Sequence, residues 1–309
     1  MLSKEIFLYR LSLIKYIFEN SKIESKKPEP LCITALLMIH DSIELFLQLV
    51  VEYLDIQCGQ PNFMDYWDLV GSSKIEIELT QKESMKRLNK SRVAFKHHGT
   101  MPSRFDIDSF LSISDSFYAE NCKKVFGIKF DDISMIELIT DRDIKTILEN
   151  AKIDLFSNRF NDSMEKCTIA FCKMIKKYES NKLTKYQRSV FNITEDTSFL
   201  SSFFIGLNSG NVFGVERKIG EFIDKTNKSI KQLQETIKIL GYGIDFRKYA
   251  LFNHIVPYHY ETLDGKIHFD HERNYSIEDI NYCIDFCIEC FLKLISFDFS
   301  LSTANENTK

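Results

Sequence analysis

The sequence predicts an all-α protein, and three of its features lead to that prediction. Five prolines and eleven glycines are few breaks for 309 residues, which favours long elements over many short strands. Apolar residues recur every three or four positions over most of the chain, which is the period of an amphipathic helix. A strand-like pattern occurs only at residues 258–269, so we expect at most one small β-hairpin.

The first half contains four predicted helices separated by turn signals. They cover residues 4–19, 31–55, 77–97 and 104–126, with a linker at 22–30 and a loop around the single tryptophan, Trp67. The most apolar of them, 31–55, carries its polar residues on one side. This pattern favours a core helix over a membrane span.

The second half contains five further predicted helices, at 141–151, 161–178, 215–240, 245–255 and 276–294. Asp141, Asn161 or Asp162, and the pair Ser276 and Asp279 are suited to cap three of them. Residues 179–214 are irregular and suggest a flexible, lid-like connection. We therefore predict a domain at 1–127, a second helical domain at 128–300, and a disordered tail at 301–309.

Composition restricts the classes of function. The net charge of −4 argues against a protein that coats nucleic acid with its whole surface, so a nucleic-acid site has to be a local patch. Eight cysteines in mostly apolar helical patterns indicate reduced, buried thiols. With no secretory leader predicted, we expect a cytoplasmic protein that does not bind membranes. No glycine-rich phosphate loop is present, and we predict no cofactor.

The basic segment 86–104 contains the residue types that best suit a catalytic site. Its helix carries five cations and two adjacent histidines before Gly99 and Pro102 end it: Lys86, Arg87, Lys90, Arg92, Lys96, His97 and His98. Arg92, always charged, could hold a phosphodiester while His97 moves a proton. At about 100° per residue, however, His97 lies roughly 140° around the helix from Arg92. The alternative interpretation is a solvated helix end whose cations complement the helix dipole.

Two other groups of residues match a functional pattern. Arg247 and His254, with six residues between them, also fall within an Arg-x(4 to 6)-His spacing, although their apolar neighbours also suit a packed helix. Histidines and acids around the hairpin could be imagined as zinc ligands, but no firm ligand motif accompanies them, so we predict no metal site.

The run Arg92-Val93-Ala94-Phe95-Lys96-His97, followed by Gly99 on a third helix, resembles the HEPN superfamily of all-α domains. Many HEPN proteins are metal-independent ribonucleases of toxin, antiphage and RNA-processing systems. The resemblance covers residues 1–127. It implies a homodimer in which two Arg–His sets form one composite site, and cleavage of RNA through attack of the ribose 2′-OH.

The resemblance also implies roles for individual residues. Arg92 would hold the phosphate and His97 would act as acid or base, with His98 as its substitute. Asp41 and Glu44 would supply the acidic group opposite the motif, and the remaining cations would bind RNA: Arg87, Lys90, Lys96 and Arg104. An alternative to the homodimer is a chain with two HEPN-like halves, the second one degenerate, that form the composite site within one molecule, with Arg247 and His254 as a possible second site.

One departure from the family pattern motivates an alternative. Active HEPN nucleases usually carry a polar residue directly after the arginine, and this chain has Val93. The alternative is therefore a catalytically inactive helical module that binds RNA or a protein partner, such as an antitoxin, and regulates a neighbouring effector.

Overall fold

The computed structural model describes residues 2–73, 77–180, 182, 214–262, 266–270 and 273–296. These residues form ten α-helices and one two-stranded sheet, which confirms the all-α prediction. The chain divides into unit 1, Met1–Thr140, and unit 2, Asp141–Lys309. Three predictions lie outside the described residues: most of the lid-like connection 179–214, the hairpin turn at 263–265, and the tail 301–309.

Unit 1 is built around its second helix. Its helices are α1 (Lys4–Ser25), α2 (Thr34–Tyr53), α3 (Asp65–Gly71), α4 (Lys82–His98) and α5 (Arg104–Phe126). Helix α2 contacts all four of the others. At the centre, the Phe46 ring meets the rings of Phe117 and Tyr118 edge-on at 5.5 and 5.4 Å, a favourable aromatic geometry. All three side chains are fully buried.

The apolar stretch that contains α2 also has the length of a membrane span. Within the described residues, Leu31–Tyr53 is the one helical stretch that is long and apolar enough, with a mean hydropathy of 1.6. In its most apolar 18-residue stretch, 61% is buried. Leu36, Ile39, Ile43 and Phe46 of this stretch belong to the core of unit 1.

Unit 1 extends past residue 127, where we had predicted the first domain to end. The segment 128–140 folds back on α1, where the Ser12 hydroxyl donates to the carbonyl of Ser134 at 2.8 Å. The Lys15 ammonium donates to the carbonyl of Asp131 at 2.7 Å. These bonds across α1 make the segment part of the first unit, and the boundary lies between Thr140 and Asp141.

Three element predictions in unit 1 differ from the structure. Helix α1 continues to Ser25, into the predicted linker, since the hydroxyls of Ser21 and Ser25 bond back to helix carbonyls. The loop around Trp67 contains α3, which at seven residues is too short to show a period. Helix α4 begins at Lys82 instead of 77, after Gln81 in the left-handed region with φ 62°.

The late start of α4 has a tertiary cause. The indole of Trp67 donates to the carbonyl of Thr80 at 2.9 Å, and the amide of Thr80 donates to the side-chain oxygen of Asn121 at 3.0 Å. These two bonds take up the backbone groups of Thr80, so residues 77–80 stay outside the helix. Contacts this distant in sequence override the local pattern.

Unit 2 packs its helices around thiols and aromatic rings. Its elements are α6 (Arg142–Phe156), α7 (Phe160–Ser180), α8 (Gly214–Gly241), α9 (Phe246–Ile255), β1 (His259–Glu261), β2 (Ile267–Phe269) and α10 (Ile277–Ser296). Helix α10 contacts α6, α7 and α9. Cys167, Cys283, Cys287 and Cys290 are buried, as predicted, and all eight cysteines are free.

Several predicted ends of elements in unit 2 are confirmed. The Asp141 carboxylate caps α6 by accepting from two backbone amides. Ser276 and Asp279 exchange hydrogen bonds at the start of α10, which is the predicted capping box. The hairpin pairs His259 with Phe269 in antiparallel register. The caps predicted for α7 are wrong, because this helix begins at Phe160 and Asn161 and Asp162 lie inside its first turn.

Candidate functional site

Helix α4 is attached to unit 1 along a narrow side. Met85 and Leu88 are its two fully buried residues, and Phe95 packs on the core. The helix ends at Gly99, whose φ of 67° suits glycine. Lys96, His97 and His98 occupy the last turn, where positive charge is favourable with the helix dipole. Most of the length of α4 therefore remains available to a partner.

The buried His40 of α2 connects this helix to α4. Its side chain is 2% exposed, and its ring stacks on Phe63 with 4.3 Å between centroids. Its Nε2 lies 3.1 Å from the side-chain oxygen of Asn89. Its Nδ1 lies 3.5 Å from an oxygen of Asp41 and 3.8 Å from one of Glu44. The imidazole thus holds the acidic pair on one side and α4 on the other.

Arg92 lies on the side of α4 that faces this histidine and its acids. Its side chain is half-buried, and its Nε is buried without a hydrogen bond to any described residue. The hydrogen bond with His40 lowers the pKa of Asp41, and the positive charges of Arg92 and Lys96 contribute in the same direction. We call His40, Asp41, Glu44, Asn89, Arg92 and Lys96 the α2–α4 polar cluster.

The cluster brings together some of the predicted residues and separates others. Asp41 lies within electrostatic range of Arg92 and Lys96, as expected of an acidic group opposite the motif. Glu44 instead approaches His40 and Tyr66, whose pKa is raised by burial and then by the charge of Glu44.

The other predicted residues of the basic segment are all exposed and form its outer face: Arg87, Lys90, His97, His98 and Arg104. Because α4 is a regular helix from Lys82 to His98, His97 stays roughly 140° from Arg92. Arg87 is near enough to α5 for its charge to help Ser103 lower the pKa of Asp106. Within one chain, then, Arg92 and His97 lie on different sides of the helix.

The cluster also contains a group of possible metal ligands. The ligand atoms of His40, Asp41 and Glu44 lie within 4.8 Å of one another, so this group could hold a divalent cation. Arg92 and Lys96 add positive charge next to Asp41, which opposes cation binding and favours an anion near α4.

A cavity of about 590 Å³ borders the cluster at Glu44. It lies between the end of α2, the loop 54–61 and Tyr66, and its lining includes Gln48, Glu52 and Asp55. Carboxylates and amides make this cavity suitable for a cation or a hydrogen-bond donor, and unsuitable for a phosphate.

The second Arg–His pair belongs to unit 2. Arg247 and His254 lie on α9, and the Arg247 side chain is 91% exposed, with a guanidinium nitrogen 3.4 Å from an oxygen of Asp245. His254 is exposed as well. Among their neighbours Phe252 is buried, whereas Leu251 is 47% exposed.

His40 and Asn89 were not predicted as part of the site. His40 precedes Glu44 by four residues, and Asn89 precedes Arg92 by about one helical turn, so helical spacing alone places each beside a predicted residue. The pairing between them depends on the crossing of α2 and α4, which no local pattern encodes. No protein-family model, curated protein or solved structure matches this chain.

Proposed function

We propose that this protein is an endoribonuclease that cleaves RNA without a metal ion and acts as a homodimer. The observation that supports the proposal is the state of Arg92. Arg92 is half-buried beside Asp41, and its Nε has no hydrogen-bond partner among the described residues. The other guanidinium nitrogens can then donate to a phosphate.

The chemistry follows from the motif. A neutral imidazole of His97 accepts the proton of the ribose 2′-OH, and the 2′-oxygen attacks the adjacent phosphorus. The bond from phosphorus to the 5′-oxygen breaks, and a protonated histidine donates a proton to the leaving oxygen. The products are a 2′,3′-cyclic phosphate and a 5′-hydroxyl. DNA lacks the 2′-OH nucleophile and would not be cleaved.

The geometry of α4 is the reason that the proposal includes a dimer. Because Arg92 and His97 lie on different sides of the helix, Arg92 of one copy and His97 of a second copy would have to meet at one phosphate. The exposed outer face, with Arg87, Lys90 and Arg104, would extend the contact along the RNA backbone. Lys96, beside Asp41, would contribute from the cluster side.

A second candidate function is a catalytically inactive module that binds RNA or a protein partner. Val93, the residue after Arg92, is 37% exposed where active HEPN nucleases usually carry a polar group. The divergence of Arg92 and His97 within one chain also favours this candidate.

One experiment separates the two candidates. Purified wild type and an Arg92→Ala/His97→Ala double variant are incubated with labelled total RNA and tRNA in EDTA, and the product ends are analysed for cyclic phosphate. Lys123→Ala serves as the matched control, since Lys123 is an exposed cation at the end of α5. Cleavage by wild type and Lys123→Ala, and not by the double variant, would support the nuclease.

The other possible outcomes would support the inactive module or contradict the nuclease. RNA binding without turnover, or a pull-down of a protein partner by an inactive chain, would support the inactive module. Cleavage that requires a metal ion, or that persists in the double variant, would contradict the nuclease as proposed. The role as a cytoplasmic defence or toxin effector, restrained by a protein such as an antitoxin, is part of the same proposal. Growth arrest on expression of wild type, absent with the double variant, would support it.

A further inference from the structure

Helix α8 carries a heptad pattern that the proposed function does not use. If Ile223 is placed at position a, then between residues 219 and 240 isoleucines occupy all three a positions and apolar residues occupy three of the four d positions. Seven residues form this row, which we call the α8 seam: Ile219, Ile223, Thr226, Ile230, Leu233, Ile237 and Leu240. Apolar a and d positions over three heptads are the sequence signature of a coiled coil.

The seam is open to solvent in the single chain. Of its six isoleucines and leucines, five are exposed, from 36% for Ile230 to 61% for Leu233, and Ile223 is half-buried. Phe222, which flanks the seam at a g position, is 70% exposed. Single exposed apolar residues are common on soluble proteins, but a continuous row of them marks a surface that binds a partner.

The attachment of α8 to unit 2 leaves the seam free. Ile239, at a c position on the other side of the helix, is 4% exposed. The ammonium of Lys238, at a b position, lies 3.1 Å from a carboxylate oxygen of Glu179 on α7. Because c lies roughly 160° around the helix from a, the C-terminal half of α8 packs on the side opposite the seam. Nearer the N-terminus Gly220 is buried and Ile223 is half-buried, so the seam is most open from Thr226 to Leu240.

The charges on α8 indicate which partner suits the seam. Every charged residue between 219 and 240 falls at an outer position, b, c or f: Glu221, Asp224, Lys225, Lys228, Lys231, Glu235 and Lys238. The flanking e and g positions carry none: Gly220, Phe222, Asn227, Ser229, Gln234 and Thr236. Two identical helices placed seam to seam would therefore bring no like charges together, whereas charged e and g positions would have selected a different partner.

We propose that the α8 seam binds the α8 seam of a second copy of this chain, as a parallel, in-register two-stranded coiled coil. Isoleucine at a with leucine at d favours this arrangement over three or four strands. The interface lies in unit 2 and uses none of the residues of the α2–α4 polar cluster. It therefore does not depend on whether the protein cleaves RNA.

The mass of the protein in solution tests the proposal. Analytical ultracentrifugation of wild type over a dilution series is expected to give twice the 36.2 kDa of one chain at the higher concentrations. Leu233→Asp/Ile237→Asp is expected to give the mass of a single chain throughout, because a dimer would have to bury two charges from each copy in the C-terminal half of the seam. Lys225→Asp/Gln232→Asp, which places the same residues at c positions, is the matched control and should dimerise like wild type.

Two further measurements cover the remaining outcomes. Circular dichroism establishes that the seam variant is folded, and Leu233→Ala/Ile237→Ala gives a milder version if it is not. Ile237→Cys, off the centre of the seam, should form a disulfide-linked dimer on mild oxidation, with wild type as the control for the native cysteines. In an antiparallel pair these two cysteines would be far apart, so the absence of the cross-link in a seam-dependent dimer would overturn the parallel arrangement. These samples contain no RNA, so the α4 residues of two copies have no phosphate at which to meet. A monomeric wild type, or a dimer that survives in the seam variants, would therefore overturn the proposal itself.

Discussion

Helices α4 and α8 both leave most of their length uncovered, but the two open surfaces are chemically opposite. Helix α4 presents cations and imidazoles, with two fully buried residues holding it to unit 1. Helix α8 presents a row of isoleucines and leucines, and its charges lie at the outer positions. The difference indicates two kinds of partner: a polyanion bound by exposed cations at α4 and a second apolar helix at α8. Each prediction below tests whether the two surfaces behave differently.

The largest effect is expected at α4, on the rate of RNA cleavage. His97→Ala should lower the single-turnover rate by about 10²–10⁴-fold, the usual contribution of a general acid or base. Added imidazole should restore part of the rate, since it can carry the proton that His97 carried. Rapid-quench measurement with labelled RNA checks this, with Lys123→Ala as the control. A cleavage rate of His97→Ala close to that of wild type would exclude His97 as the proton carrier.

At α8, the next largest effect is a gain in affinity. Thr226 is the one polar residue of the seam, and Thr226→Leu would bury additional apolar carbon from each of two copies at about 0.8 kcal/mol per methylene. Sedimentation equilibrium should therefore give a dimer that is roughly tenfold tighter or more. Ser229→Leu, at a flanking g position, should change the dissociation constant less. An unchanged or weaker dimer with Thr226→Leu would contradict the assigned heptad register.

Salt should separate the two surfaces. If Lys90 contacts one phosphate of single-stranded RNA, Lys90→Ala should reduce the slope of log affinity against log salt by about 0.7. Fluorescence anisotropy with a short RNA measures this slope. Dimerisation through the α8 seam should change little over the same salt series, because neither the seam nor its flanking positions carry charge. Similar salt slopes for RNA binding and for dimerisation would remove the distinction between α4 and α8.

The smallest effect is expected from acid. The pKa of Asp41 is lowered in the folded chain, first by the hydrogen bond with His40. Its contribution to stability is therefore full above the ordinary aspartate pKa, near 3.9, and is lost as the pH falls through the lower folded-state pKa. Because the Asp41 side chain is 58% exposed, that contribution is expected to stay below about 1 kcal/mol.

Urea unfolding of wild type and Asp41→Asn at neutral and acid pH measures this term. The difference in unfolding free energy between the two proteins should shrink as the carboxylate of wild type becomes protonated. A difference that grows toward acid pH would have the wrong sign and would contradict the arrangement around His40. Isoleucine, leucine and threonine do not titrate, so the α8 seam itself should contribute no pH dependence over that range.

The sequence was sufficient for elements whose stability is local. The long helix at 215–240, the Asp141 cap of α6, the capping box of α10 and the hairpin all follow from patterns within a few residues. The sequence was insufficient where contacts between residues far apart in the chain determine the structure. The start of α4 depends on Trp67 and Asn121 holding Thr80, and the contact of His40 with Asn89 joins residues 49 positions apart.

The candidate site likewise combines a feature that the sequence predicts with one that it does not. Helical spacing alone predicts that His97 turns away from Arg92, and the regular helix bears this out. That the Nε of Arg92 is buried without a hydrogen bond to any described residue depends on how α2 crosses α4. Periodicity within α4 does not contain that information.

The buried thiols allow the opening of each unit to be followed separately. Burial raises the pKa of Cys122 in unit 1 and of Cys283 in unit 2 to about 12, so almost no thiolate forms at neutral pH while either unit is closed. Alkylation of these cysteines can proceed only through opening of the surrounding helices. Mass spectrometry after timed exposure to a thiol reagent would therefore report the opening of each unit separately, within one intact chain.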